Sequence, residues 1–259
     1  MYFIDEKILK KQIPVTIIDI KELSQDLIKT LDKYIISICE GKSDNELKIV
    51  KLTLLQFFEN KSDKIKIGAI AEFFIHLYIH EIGYKQECLF RNLEENSIKK
   101  GFDGFYSTIE GYTWIMESKA GMVDDTSKIT HSSKVLLAMN DLIDKVSGQN
   151  KGQSNNLPNN PWNNAYNHAS NVDVDTDEKI RKYLKNLSNE FVQGQFHSIE
   201  EFNVMPCGTI FLTGIWNQYN HDSIMSDLES IIDKLKGKNI HIICVTQLSK
   251  EIFLKYLKL

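Results

Sequence analysis

The sequence predicts one α/β protein in which helices and short strands share a single core. Several segments repeat apolar residues every three or four positions, as amphipathic helices do. From Tyr84 to Gly121 the period changes to that of strands, with glycines at the joins. Two more strand-like runs, GTIFLTGIW and NIHIICVTQL, enclose a helical stretch around Ser223 to Leu235. At 259 residues the chain is long enough for such a core with additions.

Residues 1–66 are predicted to be N-terminal additions to that core. Two short strand-like runs, of which VTIIDI is the stronger, precede an amphipathic helix that Ser24 is placed to cap and Gly41 to end. A second helix is predicted from about Glu46 to Asn60. We expect part of this region to serve as a docking surface for a partner protein.

The core itself is predicted to span residues 67–259. It opens with IGAIAEFFIHLYIHEIG, a helix that is apolar on almost every side and should therefore be buried. QECLFRN, GFDGFYSTIEG and YTWIMESKAG follow as the strands of a meander. Further helices are predicted over about Ser132 to Val146 and from near Asp177.

An Asn-rich segment at about residues 148–172 interrupts the core and is predicted to be a surface loop. It is either a flexible linker or a loop that presents Trp162, Tyr166 and His168 to a substrate or partner.

Composition limits the classes of protein that fit. The hydrophobic fraction of 42% and the charged fraction of 25% are ordinary for a globular protein, and no apolar run approaches the ~20 residues that cross a bilayer. The N-terminus lacks the pattern of an export signal, and the four cysteines form no CxxC pair. We therefore expect a cytoplasmic protein with reduced cysteines and no membrane association.

Charge argues against strong unaided binding to nucleic acid. The net charge is −4, and Arg91 and Arg181 are the two arginines of the chain. Because lysines and arginines supply most non-specific affinity for phosphates, a grip on DNA needs a local patch of lysines or a partner. No GxxxxGK[ST] loop is present, so any ATP-driven step belongs to another protein.

The segment WIMESKAG carries the strongest chemical signal. A strand alternates its side chains, so Glu117 and Lys119 should share one face. Asp103 precedes them in KKGFDGFY, between two glycines that permit an unusual turn. If the two strands pair, Asp103 comes beside Glu117, and two carboxylates there would hold a hard cation such as Mg²⁺.

A helical Glu followed by D-x(13)-E-x-K across two strands resembles the signature of the PD-(D/E)xK nuclease superfamily, over roughly Ile67 to Gly121. Within it, a Gly-x-x-x-Glu helix followed by GFDG and ESKAG is similar to HamA, the nuclease-subunit family of the Hachiman antiphage defence system. The resemblance implies a restriction-endonuclease-like α/β core with a central mixed sheet flanked by helices. It also implies DNA cleavage that depends on Mg²⁺, with Mn²⁺ as a substitute, and a HamB-like helicase subunit as partner in a hetero-complex.

The resemblance also implies roles for individual residues. Asp103 and Glu117 would be metal ligands, and Lys119 would orient or activate the attacking water. Glu72 would bind a metal or position Lys119. Phe102 stands where the superfamily name has Pro, at a position that does not touch the metal.

Glu72 allows a second interpretation. His76 and His80 follow it at one and two helical turns, so the three side chains are candidates for a zinc-binding stripe. The order differs from HExxH, and no downstream Cys or Glu completes the site. His76 is therefore expected to be a supporting or core-lining residue.

Two other functions stay open beside a helicase-dependent nuclease. One is a catalytically silent module on a nuclease fold that binds DNA or a partner, and the other is a stand-alone restriction or repair endonuclease. The scarcity of arginine, the bidentate reader of guanine, disfavours intrinsic sequence specificity. We also expect from the sequence that Glu117→Ala and Lys119→Ala leave the fold intact, or stabilise it by removing an unpaired buried charge.

Overall fold

A computed structural model gives the fold of this protein as an α/β arrangement in which a mixed β-sheet is flanked by helices. The structure describes residues 2–92, 97–98, 101–123, 129–149, 159–216 and 220–259. In this part of the chain no helix is long and apolar enough to cross a membrane.

The α-helices of the described residues are α1 (Gln25–Glu40), α2 (Leu47–Glu59), α3 (Asp63–Glu81), α4 (His131–Val146), α5 (Pro161–Ala169), α6 (Glu178–Val192), α7 (His221–Glu229) and α8 (Glu251–Leu257). The strands are β1 (Tyr2–Ile8), β2 (Pro14–Ile20), β3 (Lys85–Gln86), β4 (Arg91–Asn92), β5 (Ser97–Ile98), β6 (Gly104–Ser107), β7 (Thr113–Met122), β8 (Asn203–Phe211), β9 (Asn239–Ile240) and β10 (Ile242–Gln247).

The main sheet has the order β1-β2-β10-β8-β7-β6-β3, and β9 pairs with β8 at its start. The four central strands, β2, β10, β8 and β7, run parallel to one another. The outer pairs β1–β2, β7–β6 and β6–β3 are antiparallel. β1 and β2, which lie within the predicted N-terminal additions, are thus continuous with the sheet that carries β7.

Two hydrophobic cores lie on opposite faces of this sheet. One face packs against α3, which is buried along most of its length as its apolar sequence predicts, with α1, α2 and α8 outside it. The other face packs against α4, and α5, α6 and α7 contribute to the same core. Because side chains alternate along β7, Met116 belongs to the α3 face while Ile115 belongs to the α4 face.

Local sequence signals account for several helix ends. The Ser24 hydroxyl accepts a hydrogen bond from the Leu27 N–H and caps α1, and Gly41 ends the helix with a φ of 71°. The Asp177 carboxylate accepts from the Lys179 N–H and caps α6. The hairpin of the predicted meander is confirmed as β6 and β7. The predicted first strand, QECLFRN, is wrong: β3, at its start, pairs with β6, while β4, at its end, pairs with β5 in a separate two-stranded sheet. All four cysteines are buried and outside any disulfide.

The prediction of a loop over the Asn-rich segment is wrong for its second half. Asn160 caps α5 and Pro161 occupies the first turn, where a missing N–H costs no hydrogen bond. Trp162 is fully buried, which excludes its presentation to a partner. Residues 150–158 of the predicted loop lie outside the described residues.

Candidate active site

The antiparallel hairpin of β6 and β7 brings the predicted acidic residues together. Gly104 pairs with Met116, so one step further along the hairpin Asp103 lies opposite Glu117. Asp103 Oδ2 accepts a hydrogen bond of 2.8 Å from the Ser118 N–H. The pairing expected from the sequence is therefore present, and the position of Asp103 is held by the backbone of the strand that carries Glu117.

Both glycines beside Asp103 are needed for this geometry. Gly101 has a φ of 115°, which side chains other than hydrogen rarely allow. A Cβ at Gly104 would lie 2.5 Å from Tyr106 Cε2, so a larger residue would clash with the buried ring of Tyr106. The chain thus turns sharply into β6 immediately around the carboxylate.

Helix α5 supports the same turn from outside. Phe102, next to Asp103, packs edge-on against Trp162 with ring centroids 4.8 Å apart, and both rings are buried. A Cβ at Gly101 would lie 3.1 Å from Asn164 Cβ, so the helix and the turn are in close contact. Through α5, the Asn-rich segment therefore packs against the turn that holds Asp103.

The Glu117 carboxylate lies between two lysines. It is 2% exposed, and Lys119 Nζ donates to its Oε1 at 2.7 Å. Lys145 Nζ, from α4, donates to the other oxygen, Oε2. Each oxygen of this buried carboxylate therefore carries its own ammonium group.

Lys119 is shared between two acids. Besides Glu117 Oε1, its Nζ contacts Asp141 Oδ2 of α4 at 2.6 Å. The cluster thus contains the carboxylates of Asp103, Glu117 and Asp141 and two ammonium groups. With every group ionised it retains one negative charge.

The environment shifts the pKa of both predicted catalytic residues. Burial and the nearby Asp103 carboxylate raise the pKa of Glu117, against the opposing effect of Lys145 and Lys119. Burial alone would lower the pKa of Lys119, but the charges of Glu117 and Asp103 and the hydrogen bond that the ammonium donates to Asp141 raise it overall. Lys119 is therefore a cation near neutral pH in this arrangement.

Helix α4 supplies residues that sequence analysis did not identify as part of the site. Asp141 and Lys145 are one turn apart, and Lys134 lies about two turns before Asp141 on the same side of the helix. A Cβ on Gly121 would approach Lys134 Nζ to 3.0 Å, so this lysine lies against β7 beyond Lys119. Burial lowers the pKa of Lys134, and among the described residues it forms no ion pair.

In the sequence, the only indication that Lys134, Asp141 and Lys145 act together is their spacing along the helix. It places three charged residues on one side of a predicted amphipathic helix, where the apolar positions Val135, Leu142 and Val146 adjoin them. Charged residues beside an apolar stripe are also common at the edge of any solvated helix face, so the pattern alone did not distinguish them.

Glu72 lies on the opposite face of the sheet from Glu117. It is buried in α3, where His76 Nε2 hydrogen-bonds its Oε1 at 3.2 Å and His76 Nδ1 contacts the Tyr106 hydroxyl. The structure therefore does not bring Glu72 into the cluster around Glu117 and Lys119. Glu72 instead belongs to a buried chain of hydrogen bonds that runs through His76 to Tyr106 of β6.

The zinc-stripe interpretation does not fit this geometry. Both ring nitrogens of His76 are engaged by protein groups, and His80 Nε2 instead bonds Gln86 Oε1 at 2.7 Å. Within the described residues, no group of three or more His, Cys, Asp or Glu side chains is arranged to hold a metal ion. His76 is the core-lining histidine that the sequence favoured.

The residues that are present have the donor chemistry that Mg²⁺ prefers. Asp103 and Glu117 offer carboxylate oxygens at opposed positions of paired strands, inside a cluster with excess negative charge. Mg²⁺ keeps several waters and is usually bound by one or two carboxylates, so a complete protein cage is unnecessary. Asp103 and Glu117 would hold such a cation.

Neither protein-family models nor curated proteins give a match to this chain.

Proposed function

We propose that this protein is a Mg²⁺-dependent DNA nuclease of the PD-(D/E)xK type. The observation that supports it most is the hairpin that sets Asp103 opposite Glu117 and places Lys119 on the same strand face as Glu117. Hydrolysis of a phosphodiester needs a nucleophile at neutral pH and neutralisation of charge on the phosphoryl oxygens. When bound, a divalent cation supplies both.

Each residue of the cluster has a definite task in this proposal. Asp103 and Glu117 hold the cation, and the Ser118 N–H fixes the orientation of Asp103. Lys119 acts as a positive charge toward the phosphoryl group, because its ammonium already donates to two carboxylates and has no capacity to accept a proton. Asp141 orients that ammonium.

Two further residues, Lys134 and Glu72, support the proposed site without binding the metal. Lys134 adds an ammonium group on the same face of the sheet, where it can contact a DNA backbone phosphate. Because the chain has two arginines, such lysine contacts must supply much of its affinity for DNA. Glu72 is a positioning residue: through His76 it holds Tyr106 on β6, three residues after Asp103.

Metal dependence tests the proposal. Mg²⁺ or Mn²⁺ should support cleavage of plasmid DNA, EDTA should stop it, and Ca²⁺ should permit binding with little turnover, because Ca²⁺ takes more ligands in looser geometry. Agarose-gel assays with EDTA-treated protein and each metal in turn give the readout. Restoration by Zn²⁺ but not Mg²⁺ would contradict the oxygen-ligand site, and DNA binding without cleavage under any metal would favour the silent binding module.

We further propose that a helicase partner delivers the DNA, as the Hachiman resemblance implies. A net charge of −4 gives the lone chain little affinity for a phosphate backbone at physiological salt. The lone chain should therefore degrade plasmid poorly at about 150 mM salt with Mg²⁺, and a helicase encoded beside it should activate degradation when ATP is added. Equal, rapid degradation by the chain alone would contradict this control while leaving the nuclease assignment in place.

A further inference from the structure

Lys145 has no role in the PD-(D/E)xK pattern, yet it makes the most enclosed ion pair of the cluster. Its side chain is 11% exposed and that of Glu117 is 2% exposed. The ammonium reaches across from α4 to the oxygen of Glu117 that Lys119 does not contact. Such a pair is maintained only because each charge compensates the other in a site with little water.

This arrangement limits how a metal ion can reach Glu117. A carboxylate has lone pairs enough for several partners, but here both oxygens already carry an ammonium group. A divalent cation on either oxygen would lie a few ångströms from one of these positive charges. The repulsion is strong where solvent screening is weak.

Of the two lysines, Lys145 is the one that a cation would have to displace. Lys119 is partly exposed and has a second acid, Asp141, to hold its charge when it leaves Glu117. The carboxylate that the structure gives Lys145 is Glu117.

We propose that Lys145 is an internal counter-cation of the metal-free site, and that a divalent cation binds Glu117 in competition with it. The inference rests on the proposed function, since it concerns the same metal ligand. It adds a regulatory property: the protein tolerates its buried carboxylate without metal, at the cost of weaker metal binding.

Mn²⁺ binding without DNA tests the competition. Lys145→Met should bind Mn²⁺ at least about tenfold more tightly than the wild type, because a factor of ten corresponds to only ~1.4 kcal/mol of relieved repulsion. The free Mn²⁺ signal in electron paramagnetic resonance, at fixed pH and ionic strength, gives the dissociation constants. Mn²⁺ should also raise the melting temperature of Lys145→Met more than that of the wild type.

Lys51 provides a matched control. Its side chain is also 11% exposed, and it pairs with Asp32 at 2.9 Å far along the chain from the hairpin. Lys51→Met likewise replaces an enclosed, paired lysine with methionine, but it should bind Mn²⁺ as the wild type does. If Lys145→Met does not fold, Lys145→Gln keeps a donor for Glu117 without the charge and should show the same tightening, whereas Lys145→Arg keeps the charge and should not.

The outcomes separate this inference from the proposed function. Unchanged or weaker Mn²⁺ binding by both neutral Lys145 variants would overturn the competition even if the wild type cleaves DNA. No Mn²⁺ binding by any variant would overturn it as well. Tighter binding by the neutral variants, in a protein that cuts no DNA with any metal or partner, would support the competition and refute the nuclease.

Discussion

Glu117→Ala is expected to lower the free energy of unfolding by about 3–5 kcal/mol, because it leaves buried Lys145 without its carboxylate. The same change removes a proposed metal ligand, so cleavage should disappear. Urea denaturation followed by circular dichroism measures the first effect. This prediction differs from the one drawn from the sequence, which took Glu117 to be an unpaired charge; in the structure two ammonium groups compensate it.

Asp141→Ala is the control for this change. Asp141 also pairs with Lys119, but its side chain is 45% exposed, and partly exposed ion pairs contribute only about 0–1 kcal/mol. The two variants should therefore differ clearly in their urea midpoints. Equal stability of Glu117→Ala and the wild type would mean that the buried pair with Lys145 is absent in solution.

Lys119→Ala is expected to reduce cleavage about 100-fold or more, corresponding to ~3 kcal/mol of lost transition-state stabilisation. Its effect on unfolding should stay within about 1–2 kcal/mol, because its side chain is 29% exposed and Glu117 keeps Lys145 as a partner. Single-turnover cleavage rates and urea denaturation measure the two effects.

Lys85→Ala controls for loss of a lysine next to a buried acid. Lys85 is exposed, and its Nζ lies 3.7 Å from Oε2 of the buried Glu87, outside the proposed site. It should cleave DNA at the wild-type rate. If Lys85→Ala and Lys119→Ala lost activity equally, the loss would reflect general damage to the fold and the role of Lys119 would be refuted.

The strand-borne half of the candidate site was predictable from the sequence. Alternation along a strand fixes Glu117 and Lys119 on one face, and glycines at the joins indicated the hairpin that brings Asp103 opposite Glu117. The helix-borne half was not predictable, because periodicity places Asp141 and Lys145 on one side of α4 but does not say which strand they face. That contact depends on the packing of α4 across β7 and β8.

For Glu72 the sequence identified the residue but not its position relative to the sheet. A motif places it in a helix before the hairpin, but only the fold shows that α3 covers the other face of the sheet. Its buried carboxyl group forms a hydrogen bond with His76. The resemblance implied that Glu72 binds a metal or positions Lys119, whereas its hydrogen bond with His76 favours the role proposed above, the positioning of Tyr106.

Two elements departed from sequence-based expectation for identifiable reasons. In α5 many asparagines suggested a loop, but Asn160 caps the helix, Pro161 suits its first turn, and Trp162 gains burial against Phe102. Strand β8 starts five residues before the predicted GTIFLTGIW, despite Pro206. It is a fully buried strand between β7 and β10, where tertiary burial outweighs the local preferences of proline and glycine.

The most direct test of the account is DNA cleavage by wild type and Lys119→Ala, side by side at matched purity. Supercoiled plasmid and linear duplex would be incubated with Mg²⁺ at low salt, with and without ATP and the helicase proposed as partner. The account predicts Mg²⁺-dependent cleavage by the wild type that the variant loses while it keeps its fold. Equal cleavage by the two proteins, or none by the wild type under every one of these conditions, would contradict it.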